Sequence, residues 1–174
     1  MKKVFFIFVL LLIVILFETT LLSNIRLLPV VPDILLLVLL YISVFNGSLT
    51  GEVTGFFSGL MLDFLSAAPL GLNCLLRTLI GFIAGLFNKI VNVSGFFIPA
   101  LFGFVGTILK AIFLKCIIFF FPNGVLAYNF FSVVFATELL LNTLLAPVVF
   151  WFLSFFSSIL NNSEISTSIG EKHR

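Results

Sequence analysis

The segment from Thr50 to Lys89 reads TGEVTGFFSGLMLDFLSAAPLGLNCLLRTLIGFIAGLFNK. Gly51, Gly55, Gly59 and Asp63 recur every fourth residue, and beyond the break at Ser66-Ala67-Ala68-Pro69 the residues Asn73, Arg77, Gly81 and Gly85 repeat the spacing. On a helix such a quartet occupies one face, and in apolar surroundings glycine there lets two backbones approach closely. Folding the two runs back on each other predicts a register with Gly59 opposite Gly81, Gly55 opposite Gly85, Asp63 opposite Arg77, and Gly51 opposite Lys89 with Glu52 beside it. The expectation is a transmembrane hairpin sealed by glycine, with a buried Asp63–Arg77 ion pair near one end.

The rest of the chain supplies the setting. Hydrophobic residues make up 61% and charged residues 9% of the 174, and the mean hydropathy is +1.33, whereas a soluble domain is about one quarter charged. Such a chain cannot present a charged surface to water on all sides, so an all-α integral membrane protein is expected. A hydrocarbon layer about 30 Å thick needs roughly 20 residues of helix. Val4–Leu22, Ile34–Phe45, Thr50–Leu65, Leu70–Phe87, Phe96–Phe121 and Tyr128–Leu160 are six candidate spans. The second is the weakest, too short to cross alone, and reads as extended by Leu27–Asp33 or as re-entrant. The last exceeds one span and can continue along the interface.

Lys and Arg in short loops set orientation. With the N-terminus inside, Lys2, Lys3, Lys89, Lys172 and Arg174 lie on the inner side and Arg26 on the outer side, which predicts cytoplasmic termini and an even number of spans. Lys2-Lys3 before an apolar run imitates a signal peptide, but Glu18-Thr19-Thr20-Leu21-Leu22 offers no small-residue cleavage site, and a retained first span is expected. Residues 1–160 read as one transmembrane domain and 161–174 as a short polar cytoplasmic tail.

Little here suggests reactive chemistry. Cys74 and Cys116 are single and make no metal or redox spacing, so they read as small apolar fillers. His173 stands alone in the tail. No nucleophile elbow, phosphate-binding loop, dinucleotide fingerprint or zinc-protease motif is present, and a net charge of +2 without a basic face offers nothing to nucleic acid. Neither a cofactor nor a metal is expected. The 25 phenylalanines read as lipid-facing, and Trp151 as an interface anchor or packing residue.

The ionisable residues at lipid depth are Glu18, Glu52, Asp63, Arg77, Lys110, Lys115 and Glu138. Each costs about 2.5–3.5 kcal/mol or more within a span, so a partner is expected for each. Folding the last two runs about Pro122-Asn123-Gly124 brings Glu138 to Lys110 and Asn142 to Gly106. Lys115 points elsewhere, about 140° around the helix at about 100° per residue, and is expected at the outer interface. Read structurally, these pairs fix which helices meet; read functionally, they mark a proton or ion path.

An ordered series of motifs adds a resemblance. Pro32-Asp33 opens a leucine-rich run; Gly51, Gly55-Phe56, Gly59-Leu60 and Asp63 follow; then comes Pro69-Leu70-Gly71-Leu72-Asn73. In this order they resemble the family of the rod shape-determining protein MreD, over the first half of the chain by motif and the whole by length and span count. The resemblance implies a non-enzymatic bacterial inner-membrane protein that binds MreC and helps couple MreB filaments to peptidoglycan synthesis by a RodA-type glycosyltransferase and a penicillin-binding transpeptidase. It also implies a six-helix fold similar to that of the substrate-binding subunits of energy-coupling-factor vitamin transporters. The family supplies no catalytic residues, so Pro32, Asp33, Gly55, Gly59, Asp63, Pro69, Gly71 and Asn73 carry over only as motif positions. Two other readings stand beside the scaffold. One is a vitamin-transporter subunit, whose polar pocket would need more side chains than Asn73, Asn142, Glu138 and Lys110 supply and whose usual Ala-xxx-Ala docking stripe is missing from Val4 to Leu22; the other is an ion conductor using Glu52, Asp63 and Glu138.

Overall fold

The computed structural model describes residues 2–20, 30–66, 69–93, 95–120 and 132–160. These residues form seven helices: α1 (Lys2–Thr20), α2 (Ile34–Asn46), α3 (Ser48–Leu65), α4 (Leu72–Leu86), α5 (Phe97–Phe120), α6 (Val133–Ser154) and a single turn, α7 (Ser157–Leu160). Arg26, Ala67, Ala68, the expected turn at Pro122-Asn123-Gly124, and the tail with Lys172, His173 and Arg174 lie outside the described residues. So does the side chain of Lys2.

The helix that looked weakest is the centre of the molecule. Its 13 residues, ILLLVLLYISVFN, are apolar on every side, the pattern of a helix surrounded by protein. From Leu35 to Val44 no residue is more than 3% exposed. At about 1.5 Å per residue α2 is only some 20 Å long, and α1, α3, α4, α5 and α6 all pack around it. Its C-terminal end is tied to neighbours: Lys3 Nζ donates to Asn46 Oδ1 at 2.6 Å, and Asn88 Nδ2 donates to the Val44 carbonyl at 2.6 Å. Tyr41 stacks edge-on against Phe150 of α6.

Among the described residues, three helical stretches are long and apolar enough to cross a membrane: Lys3–Thr20, Phe97–Phe119 and Val133–Ser154. Around them the outward faces carry Phe5, Phe64, Leu70, Phe97, Leu140 and Trp151, all more than half exposed. A water-soluble monomer does not expose apolar surface on this scale; a protein solvated by lipid does. After Ser154 the chain turns at Phe155–Phe156, and α7 packs its buried Leu160 near α1, with Phe156 against the ring of Phe6.

The α3–α4 hairpin exists and is the most extensive pairing in the fold, but its register differs from the expected one. A Cβ added to Gly51 would fall on the Gly81 carbonyl, one on Gly55 on the Arg77 carbonyl, one on Gly59 on the Asn73 carbonyl, and one on Gly85 on the backbone of Ser48. Gly59 thus faces residue 73 and not 81, a slide of eight positions or about 12 Å at 1.5 Å per residue. Both registers set small residues against backbone, because the stripe repeats every fourth residue. The cap that Asp63 provides to α4 selects between them. In the α5–α6 hairpin the expected depth is observed: Thr107 bonds to Asn142, and Gly103 lies against Asn142 and Ala146. Gly106 departs from expectation by facing Leu40 of α2.

Candidate functional site

The polar side chains gather at one end of α2. Pro32 precedes Asp33, which caps the helix, its Oδ1 accepting from the Leu36 amide at 2.8 Å. A carboxylate there satisfies an orphan donor and meets the positive end of the helix dipole. Glu18, reaching across from α1, accepts from the Leu35 amide at 3.0 Å. The remaining first-turn amides bond to Pro32 and Asp33 carbonyls, so the four donors that a helix N-terminus leaves open all have partners inside the bundle.

Asp33 is also the hub of an ion-pair network. Arg77 Nη2 of α4 donates to its Oδ1 at 2.8 Å, and Lys110 Nζ of α5 donates to its Oδ2 at 2.6 Å. Lys110 also donates to Glu138 Oε1 of α6 at 2.8 Å. The Asp33 backbone amide donates to Asn142 Oδ1 at 2.9 Å, Asn142 Nδ2 to Thr107 Oγ1 at 3.0 Å, and Thr107 Oγ1 to the Gly103 carbonyl at 2.8 Å. Asp33, Arg77, Glu138 and Asn142 are all buried. One aspartate therefore ties together four helices distant in sequence.

Pairing of Asp63 with Arg77 is corrected by these contacts. Arg77 is taken by Asp33, while Asp63 caps α4 from the neighbouring helix. Its Oδ2 accepts from the Gly71 amide at 2.9 Å and the Cys74 amide at 3.1 Å. Its Oδ1 accepts from the Asn73 amide at 3.0 Å and from Asn73 Nδ2 at 2.9 Å. Four donors at a helix N-terminus stabilise a buried carboxylate as a cation would, and this leaves the guanidinium for Asp33. Gly71 permits the turn: its φ of 93° lies in the left-handed region, which a side chain would strain. The Leu72 amide closes it on the Pro69 carbonyl at 3.1 Å.

Two of the residues central to this network carried a weaker signal in the sequence. Asp33 announces itself as an N-cap, following proline and preceding an apolar run, yet nothing local indicates that two cations from distant helices meet it. Glu18 is conspicuous as an acid in a span, but the partner, a backbone amide, has no sequence signature. Thr107 gave no signal at all.

The arrangement is ill suited to binding or conduction. Asn73, Asn142, Glu138 and Lys110, which a vitamin pocket would need, are engaged with protein partners. Glu52 is exposed and lies 11 residues from Asp63 on the same helix, about 16 Å away, so the three acids of a conductor do not line one path. Among the described residues no three His, Cys, Asp or Glu side chains converge as a metal site. Two larger recesses, of about 600 Å³ beside Tyr41, Pro99, Pro147 and Trp151 and about 770 Å³ between α1 and α3, are lined mainly by apolar side chains.

Fold and site together define a helical membrane protein whose polar groups lock its own core. The family model described as rod shape-determining protein MreD matches residues 1–157. The chain belongs to the MreD family, and is accordingly a rod-shape-determining membrane protein. No curated protein and no solved structure matches it.

Proposed function

We propose that this protein is an integral membrane scaffold of the bacterial cell-elongation machinery, binding MreC and helping to couple MreB filaments to the RodA-type glycosyltransferase and the penicillin-binding transpeptidase that make peptidoglycan. One observation carries the reading: a match to the rod shape-determining family over residues 1–157, on a bundle whose buried acids are held by cations or amides of the protein itself. A scaffold needs a rigid bundle with a defined lipid-facing surface, and the polar hub supplies rigidity without a reactive group. The protein acts without catalysis, cofactor or nucleic acid.

In this reading α1 to α6 are six passes of the bacterial inner membrane, residues 1–160 are one transmembrane domain, and residues 161–174 are a polar tail. Both termini are cytoplasmic, as the bias of Lys2, Lys3 and Lys89 to one side favours. Reporter fusions after Arg174 and between Ala67 and Ala68 are expected on opposite sides of the membrane; a common side overturns the span count. Affinity capture from native membranes tests the function. MreC is expected to co-purify with the wild-type protein, and its absence from captures that retain the intact bundle would count against the scaffold.

A further inference from the structure

Between the two polar clusters lies a cavity of about 10 Å³, bordered by Asp33, Asn73, Arg77 and Lys110 and by apolar side chains of α2 and α4. Arg77 is 4% exposed. Its Nη2 is bonded to Asp33, but Nη1 is the one buried side-chain nitrogen or oxygen among the described residues that has no hydrogen-bond partner. Leaving a buried donor unmet costs about 1–3 kcal/mol, more for a charged group, so a native protein supplies an acceptor. Asn73 is suitably placed. Because a carboxylate only accepts, the bond to Asp63 identifies the donor as Asn73 Nδ2 and leaves Oδ1, which has no protein donor among the described residues, as an acceptor on a residue that borders the cavity.

We propose that this cavity is a binding site for one ordered water molecule, which accepts from Arg77 Nη1 and donates to Asn73 Oδ1 and to the Asp33 carboxylate. Size and chemistry agree. A cavity of about 10–15 Å³ holds a single water, and a buried water needs two to four polar partners. Nothing larger fits, and the two cations already face carboxylates, so an anion is not called for. The water joins the clusters into one relay, from Asp63 through Asn73 to Arg77, Asp33, Lys110 and Glu138. The water places the turn between α3 and α4 in hydrogen-bond contact with the ion pairs of the second half. This inference is independent of the scaffold reading, since it concerns only the internal polar network.

The deciding experiment is a map of the full chain in lipid nanodiscs at a resolution that shows ordered water. Density at hydrogen-bond distance from both Arg77 Nη1 and Asn73 Oδ1 is the expected result. A cavity without density, or an Nη1 bonded directly to a protein acceptor, overturns the proposal. Arg77→Lys keeps a cation beside Asp33 but removes Nη1, and the peak is expected to disappear from its map; an unchanged peak in that variant refutes the assigned donor. Should the variant not accumulate, the wild-type map alone decides.

Discussion

The hairpin of α3 and α4 and the hairpin of α5 and α6 use the same ingredients, glycine on the facing side and both an acid and a base in the paired helices, but different interactions set their depth. In the second, Lys110 and Glu138 bond directly, and Thr107 with Asn142 repeats the match one turn along. In the first, glycine meets backbone at Gly51, Gly55 and Gly59, yet a stripe with a four-residue repeat accepts any slide by whole turns. Depth there is set by Asp63 holding the amides of α4. Small residues determine how closely helices approach; the polar partner determines the register.

Asp33 stands between the two hairpins, so removing its charge gives the largest effect. Asp33→Ala leaves the Arg77 and Lys110 cations short of a carboxylate and uncaps α2. Breaking a buried pair by deleting one partner costs about 3–5 kcal/mol, and two pairs share this residue. Folded protein in the membrane is expected to fall close to nil, with Asp33→Asn intermediate because the amide oxygen can still cap. Near-normal accumulation of Asp33→Ala, read by fluorescence-detected gel filtration, would show that the hub does not hold the hairpins together.

Glycine substitutions come next and separate the hairpins cleanly. Gly55→Ala drives a methyl into the Arg77 carbonyl and Gly59→Ala into that of Asn73, so α3 and α4 must move apart, whereas Gly106→Ala meets only the end of the Leu40 side chain at 2.6 Å. Overpacking costs about 1–3 kcal/mol, and the first two variants are expected at or above that range, with Gly106→Ala below it. Thermal unfolding in one detergent ranks them. Equal losses at all three positions would remove the distinction between backbone contact and flexible contact.

How much of this was legible beforehand divides along physical lines. The helices, the two hairpins and the glycine faces follow from periodicity and composition, which are local. Lys110 could be matched to Glu138 because folding the last two runs about Pro122-Asn123-Gly124 brings the two level. Arg77 was mismatched because the nearest acid in the repeat, Asp63, is satisfied by backbone amides, which leave no mark in a sequence. The central place of α2 was hidden by length: 13 residues read as too short to cross the membrane, and only the packed bundle reveals that its polar start is solvated by Glu18, Arg77 and Lys110 in place of water.

A smaller effect sharpens the corrected pairing. In double-mutant cycles on membrane accumulation, Arg77→Gln with Asp33→Asn is expected to couple by about 0.5–3 kcal/mol, the range for residues in contact. Arg77→Gln with Asp63→Asn is expected to couple more weakly, because the two side chains do not bond directly and are linked only through Asn73 and one water. Coupling that appears only in the Asp63 cycle would restore the register with Gly59 opposite Gly81.

The most local effect belongs to the Asp63 cap itself. Asp63→Asn keeps one oxygen that can accept from the α4 amides but gives up the charge and the second acceptor, while Asp63→Ala gives up both. Loss of an N-cap costs about 0.5–2 kcal/mol, and cation–anion partners are not broken at this position, so Asp63→Asn is expected near the low end and Asp63→Ala near or above the high end. The consequence is local. Hydrogen exchange should rise first at the amides of Gly71, Asn73 and Cys74, which the carboxylate now holds, with the α5–α6 hairpin left as protected as in the wild type. If protection at Lys110 and Glu138 fell in step with that at Gly71, the two hairpins would be one cooperative unit whose registers are set together, and the contrast between them would be one of sequence legibility alone.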